Sequence, residues 1–186
     1  LYNFIMIPGC TDPLALNYNL LATIDDGSCC YSSWGSAWNQ IGQDINGEAS
    51  DDKSGYSVSM SDNGNIVAVG AKHNDGINGN NSGHVRVYKN IGGNWTQLGQ
   101  DIDGEAIDDN SGWSVSLSGD GNIVAIGAHV NDGNGPGAGH IRVYEYNGST
   151  WVQLGQDIDG VGASDQIGWS ISLSNDGHTI ASGSPS

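Results

Sequence analysis

A block of eight residues recurs along this chain. Trp38-Asn39-Gln40-Ile41-Gly42-Gln43-Asp44-Ile45 returns as Trp95-Thr96-Gln97-Leu98-Gly99-Gln100-Asp101-Ile102, and again as Trp151-Val152-Gln153-Leu154-Gly155-Gln156-Asp157-Ile158. The tryptophans are 57 and 56 residues apart. A period of this length marks stacked supersecondary units, none of which can bury its own apolar face alone. The one-residue difference is confined to one stretch: Ala71 to His84 is 13 positions, Ala128 to His140 is 12. A length change inside a Gly/Asn-rich stretch marks a surface loop.

The units read as strands. Tyr56, Val58 and Met60 alternate with serines, as do Trp113, Val115 and Leu117, and Trp169, Ile171 and Leu173. That is the period of a pleated strand with one apolar face. Gly119-Asp120-Gly121-Asn122 carries a hairpin signal, and Ile123-Val124-Ala125-Ile126-Gly127-Ala128 is an apolar run of the kind covered on both faces. His84-Val85-Arg86-Val87-Tyr88 and His140-Ile141-Arg142-Val143-Tyr144 alternate again, and Trp151 opens a fourth strand after a turn at Asn147–Thr150. Four short strands joined by tight turns make a propeller blade. The expectation is all-β: consecutive four-stranded antiparallel blades, a partial β-propeller or an open stack, after a small disulfide-stapled N-terminal module. The module spans 1–33 and the repeats 34–186, divided as 38–94, 95–150 and a partial 151–186.

Composition agrees. Gly is 30 of 186 residues and Pro only 4, a balance suited to many tight turns. The chain carries 21 Asp+Glu against 5 Lys+Arg, net charge −16, which repels nucleic acid and anionic membrane surfaces. No apolar run approaches the ~20 residues of a membrane span. The opening Leu1–Ile7 is short for a signal peptide and lacks a basic flank. Both ends are expected to be cuts in a longer polypeptide.

Gly55-Tyr56-Ser57-Val58-Ser59, Ile66-Val67-Ala68-Val69-Gly70-Ala71, an Asn/Asp/Gly loop and Ser82-Gly83-His84-Val85-Arg86-Val87-Tyr88 together resemble FG-GAP repeats. The resemblance runs from about Trp38 to Ser186. It implies the blades of integrin-alpha-type propellers and of secreted bacterial proteins, used for adhesion or ligand binding and sometimes holding calcium. The calcium loop of that family, Asp-x-Asp-x-Asp-Gly, has no counterpart here, because turns such as Asp62-Asn63-Gly64 are too short. Gly9-Cys10-Thr11-Asp12-Pro13 followed by Asp25-Asp26-Gly27-Ser28-Cys29-Cys30 resembles a Cys-bounded motif of marine bacterial surface proteins and large algal viruses.

The three cysteines, Cys10, Cys29 and Cys30, all lie in that segment. A Cys10–Cys29 bridge would staple a core-poor piece, leaving Cys30 for an outside partner; a zinc site is the rival. A disulfide implies an oxidising compartment. Clustered oxygens are what Ca²⁺ needs. Asp101, Asp103, Glu105, Asp108 and Asp109 offer such a cluster before one strand, and Asp44, Glu48 and Asp52 repeat part of it. Asp25 and Asp26, with Asp12, Asn17 and Asn19, offer another. The alternative is that these carboxylates cap their own turns. His84 and His140 recur at one strand-start position, which favours a structural role over catalysis. The recurrent Trp and Tyr residues serve blade packing or sugar stacking.

No nucleophile elbow, phosphate loop or His-Glu-x-x-His occurs, and Glu appears only at 48, 105 and 145. The expectation is therefore a non-enzymatic, extracellular, cell-surface or virion-surface module. Its partner would be a surface glycan or protein, met by loop residues His73, Asn74, Asp75, Asn131 and Asp132. Two alternatives stay open: a self-assembling segment of a filament, appendage or virion, and an accessory region of a larger secreted enzyme.

Overall fold

The computed structural model describes residues 8–11, 19–22, 24–25 and 40–185. The chain divides into two units, Leu1–Gln40 and Ile41–Ser186. In the first, β1 (Pro8–Gly9) pairs in parallel with β2 (Ile24–Asp25), and Asn19 N–H donates to Cys10 O at 3.0 Å. Cys10 is buried and disulfide-bonded. Cys29, Cys30, Asp12, Asn17, Asp26 and Trp38 lie outside the described residues, and so do the Cys10–Cys29 pairing and the acidic set around it.

The second unit is all-β, with no helix among the described residues. In the first blade, β3 (Ser54–Met60), β4 (Ile66–Ala71), β5 (His84–Ile91) and β6 (Asn94–Gln97) run antiparallel in that order. A fifth piece, β7 (Ile102–Asp103), pairs with the start of β5, placing His84 opposite Asp103. The second blade repeats this with β8 (Ser114–Leu117), β9 (Ile123–Ala128), β10 (His140–Tyr146), β11 (Trp151–Gln153) and β12 (Ile158–Asp159). A third sheet holds β13 (Ser170–Leu173) and β14 (Ile180–Gly183). Thus the outer strand is two short strands rather than one. At the break, Gly99 adopts φ +77°, a left-handed geometry that glycine reaches without steric cost.

Each blade lays an aliphatic face on a small-residue face of the one before. Val115 and Leu117 of β8 sit with Val124 and Ile126 in one cluster with Ile66, Ala68, Val85 and Val87 of the first blade. The exposures of Val115 and Leu117 are 9% and 7%, against 64% and 57% for Val58 and Met60, which hold the same positions in the first blade. Burying each such side chain contributes about 1.5–3 kcal/mol. Serines on the opposite face fix the register. Ser57 Oγ donates to Gly112 O at 2.7 Å, and Ser59 Oγ accepts from Leu117 N–H at 2.9 Å. One blade on, Ser114 Oγ donates to Gly168 O and Ser116 Oγ accepts from Leu173 N–H.

The recurrent Trp-x-Gln-Leu-Gly-Gln-Asp block is explained by a clamp between blades. Trp151 places its indole N–H on Leu98 O at 2.7 Å, while its main-chain N–H and C=O bond the side-chain amide of Gln100. Trp95 is held in the same way by Ile41 O and Gln43. Trp95 and Trp151 are therefore each gripped by the Leu/Ile-Gly-Gln of the preceding repeat.

Candidate functional site

The charged residues of the repeat converge where one blade's linker meets the next blade. Arg86 stands on β5, and its guanidinium binds Asp101 through two bonds, Nε–Oδ1 at 2.9 Å and Nη2–Oδ2 at 2.7 Å. It also pairs with Glu48. In the second blade Arg142 binds Asp157 at 3.1 and 3.2 Å and pairs with Glu105. Two-pronged guanidinium–carboxylate contacts are the strong form of this interaction. The break between β6 and β7 carries Asp101 back onto Arg86, and the following linker carries Glu105 forward onto Arg142. Arg86 holds the carboxyls of Glu48 and Asp101 below their ordinary range. Burial raises Asp103, helped by the neighbouring charge of Asp101.

The expected cluster of Asp101, Asp103, Glu105, Asp108 and Asp109 is consequently divided. Asp101 serves the first blade and Glu105 the second. Asp109 Oδ2 accepts from Ala106 N–H at 3.0 Å and from Asn131 Nδ2 at 2.9 Å. Asp52 does the same with Ala49 N–H and Asn74 Nδ2, and Asp165 caps the N–H groups of Val161 and Gly162. Asp108 accepts from Asn81 Nδ2, and Asp44 is exposed. Asp52, Asp109 and Asp165 are thus turn caps. The hairpin turns fit calcium no better, since Asn63 Oδ1 and Asp120 Oδ1 accept from their own turns. What remains at each junction is an imidazole with two carboxylates. Glu48–His84–Asp101 and Glu105–His140–Asp157 each bring their ligating atoms within 4.8 Å of one another, and such a group can hold a metal ion.

Residues 46–88 and 101–144 each match the family model described as FG-GAP repeat. These two stretches are similar to FG-GAP repeats. Each match takes in one Glu, one linker turn, the first three strands of a blade and the Arg described above. No curated protein matches the chain in sequence. Among solved structures it is similar to one of the complex of KlAtg21 with the coiled-coil of AgAtg16, at 15% identity over 70% of this chain and 37% of that one, TM-score 0.48. It is also similar to the hydrazine synthase of Kuenenia stuttgartiensis, at 13% identity over 80% and 33%, TM-score 0.46. The chain spans about a third of the length of each.

Within the two matched stretches, the β4–β5 and β9–β10 loops have firm bases and open tips. Asn74 and Asn131 were expected to meet a ligand; both are buried instead, donating to Asp52 and Asp109. Their amides find carboxylate partners inside the protein, which fixes them inward. Asn78 Nδ2 and Asn134 Nδ2 bond Gly104 O and Gly160 O, tying each loop to the next linker. Asp75 and Asp132 are exposed, each accepting one main-chain N–H of its own loop, while His73 is half-buried. Ile77 projects at 89% exposure.

A column of rings crosses the blades, with Tyr56, Trp113 and Trp169 contributing one ring each. The Lys72 ammonium lies 3.8 Å from the Tyr56 ring centroid and 4.0 Å from that of Trp113. His129, at the same repeat position as Lys72, lies 3.9 Å from Trp113 and 4.8 Å from Trp169. The sequence contained the signals for both devices. Lys72 and His129 follow equivalent alanines, and each Arg precedes its Asp by 15 residues.

Burial, with Lys72 nearby, pushes His129 down to about 4 from 6.5. The folded state therefore binds this proton less readily than the unfolded chain. Its contribution is complete above pH 6.5 and is lost as pH falls to about 4. His84 and His140, lowered by burial, act in the same direction. Between pH 7.5 and 4.5 we expect the denaturant midpoint to record a loss of about 2 kcal/mol from His129. His129→Phe keeps a ring in the column and should remove that part of the loss; an unchanged pH profile in the variant would count against it.

Proposed function

We propose that this chain is a non-enzymatic binding module, a stack of FG-GAP blades on an extracellular, cell or particle surface. Its β4–β5 and β9–β10 loops meet a glycan or protein ligand. The observation that carries this reading is the contrast within each loop: a base held by the same hydrogen bonds in both repeats, and an exposed tip that differs in length and sequence. Such tips can change without disturbing the blade. The polar residues that chemistry would need are occupied repeatedly in the junctions, whereas catalysis requires one unique convergence. The disulfide at Cys10 supports an oxidising compartment. The linkers lend rigidity to this module rather than a calcium cage.

The test is a glycan array and a cell-surface pull-down with the chain. Asp75→Ala with Ile77→Ala, and separately Asp132→Ala, should weaken capture tenfold or more while melting stays within about 1–2 °C, as for ordinary surface substitutions. Capture indifferent to both replacements would remove the loops as the contact surface.

A second reading, self-assembly, is favoured by one observation. The third blade exposes Ser170, Ser172, Ala181 and Gly183, the same receiving face that holds the next blade elsewhere, and the first blade exposes Tyr56, Val58 and Met60. Head-to-tail copies would join these faces. A mass that stays at the 19.3 kDa of one chain as concentration rises would exclude it.

A further inference from the structure

The junction between the first two blades contains a group that ligand binding at the loops does not use. His140 is 2% exposed, and its Nδ1 has no hydrogen-bond partner. A buried, unpaired ring nitrogen calls for an explanation. Two carboxylate oxygens face it, Glu105 Oε2 at 3.6 Å and Asp157 Oδ2 at 3.8 Å, both beyond hydrogen-bond length. Arg142 takes the other Glu105 oxygen, Oε1, and grips Asp157 by both of its oxygens. Gln153 Nε2 also donates to Asp157 Oδ1. Glu105 Oε2 is thus turned towards the imidazole, and three potential ligand atoms surround one gap.

We propose that His140 Nδ1, Glu105 Oε2 and Asp157 Oδ2 bind a divalent transition-metal ion of the zinc class, with water completing a tetrahedral shell. Zinc bonds of about 2.0–2.2 Å set neighbouring ligand atoms about 3.3 Å apart, so the two imidazole–carboxylate spacings need to close by only a few tenths of an ångström, and all three atoms already lie within 4.8 Å of one another. One imidazole and two carboxylates match this ion class. Calcium takes six to eight oxygens, and the gap supplies too few. The local charge is favourable: Asp159 pairs opposite His140 across the β10–β12 ladder, and Asp109 is also close enough to act on the ring. Against these carboxylates stands the single positive charge of Arg142, which would orient the two ligating carboxylates from behind.

The repeat contains its own comparison. In the first junction Asn74 Nδ2 donates to Glu48 Oε2 at 3.2 Å, occupying the oxygen that corresponds to the free one of Glu105. Asn74 also donates to Asp52, whereas at the second junction the equivalent Asn131 donates to Asp109 and leaves Glu105 Oε2 to the imidazole. The linker after the second blade has Val161 where the others have Glu. The structure therefore assigns the tighter site to the middle junction. A bound ion would fasten the linker to β10 and β12.

The experiment uses the whole chain, stripped with a chelator and then titrated with Zn²⁺ or Ca²⁺ by calorimetry and thermal melting, with Co²⁺ absorption reporting geometry. One tight equivalent of Zn²⁺ is expected, with a raised melting temperature and the intense visible bands of tetrahedral Co²⁺. Glu105→Gln, at a largely exposed position that should fold normally, and His140→Gln should each weaken zinc at least tenfold. His84→Gln should leave the tight equivalent in place. Three results would overturn the assignment: no zinc binding, zinc binding undiminished in Glu105→Gln, or calcium bound as tightly at the same residues.

Discussion

Gly127→Ala is expected to destabilise the protein by about 3 kcal/mol, while the same change at Gly183, its counterpart in the next blade, leaves stability nearly untouched. Neither glycine adopts positive φ, so backbone strain plays no part. The difference comes from what a methyl group would meet. At Gly127 it would lie 2.2 Å from Gly168 O and 2.4 Å from Ser114 Oγ. The carbonyl belongs to the next blade's main chain, and it already accepts the Ser114 hydroxyl at 2.6 Å. Relief requires the blades to part, which lengthens that bond and weakens the dispersion contacts of the whole face. Gly70 faces Gly112 O at the same 2.2 Å and should behave alike. At Gly183 the nearest obstacle is the Ser170 hydroxyl, which can rotate away. There the alanine loses less chain entropy on folding and should be neutral or slightly stabilising. The melting temperature should fall by roughly 6–12 °C for Gly127→Ala. Equal melting of the two variants would mean that the blades are not in close main-chain contact.

Much of this architecture was legible because its determinants are local and repeated. The alternation Trp113-Ser114-Val115-Ser116-Leu117 identified a strand, and it also separated the aliphatic face from the serine face that meets the next blade. The apolar run Ile123–Ala128 was expected to be covered on both sides, and five of its six residues are buried, Ile123 being half-buried. The short strands β7 and β12 were missed because two residues carry no period. The Trp block was visible from the start, but its meaning was not. Trp and Leu-Gly-Gln are adjacent in the sequence, yet each contacts the copy belonging to another repeat.

The site was less legible for the same reason. Asp101 and Glu105 are four positions apart and look like one carboxylate cluster, but a blade boundary passes between them. Sequence proximity at a junction does not imply a shared partner. Asn74 and Asn131 looked like loop-tip residues because composition cannot distinguish an amide facing solvent from one bonded to a buried carboxylate. The alternative that the acidic residues cap turns could be read in advance for Asp52, Asp109 and Asp165. The role of Arg86 and Arg142 required knowing that β5 and β10 point them at two linkers at once.

Trp151→Ala should cost about 3–5 kcal/mol, the range for deleting a large buried aromatic. Trp151 is 4% exposed and packs against the Tyr146 ring at 5.3 Å and over Gly99, where an added methyl would come within 2.9 Å of its indole. Deletion opens a cavity between two blades and leaves Leu98 O without its indole donor. Trp151→Phe retains most of the apolar burial and loses chiefly the hydrogen bond, so about 1–2 kcal/mol is expected. Trp95 makes the equivalent contacts to Ile41 and Gln43 but is only half-buried, and Trp95→Ala should cost about half as much as Trp151→Ala. Denaturant midpoints of the three variants would show this order. If Trp95→Ala matched Trp151→Ala, the cost would follow residue type rather than the depth of the clamp, and the packing of one repeat's tryptophan onto its predecessor would not be what holds the blades together.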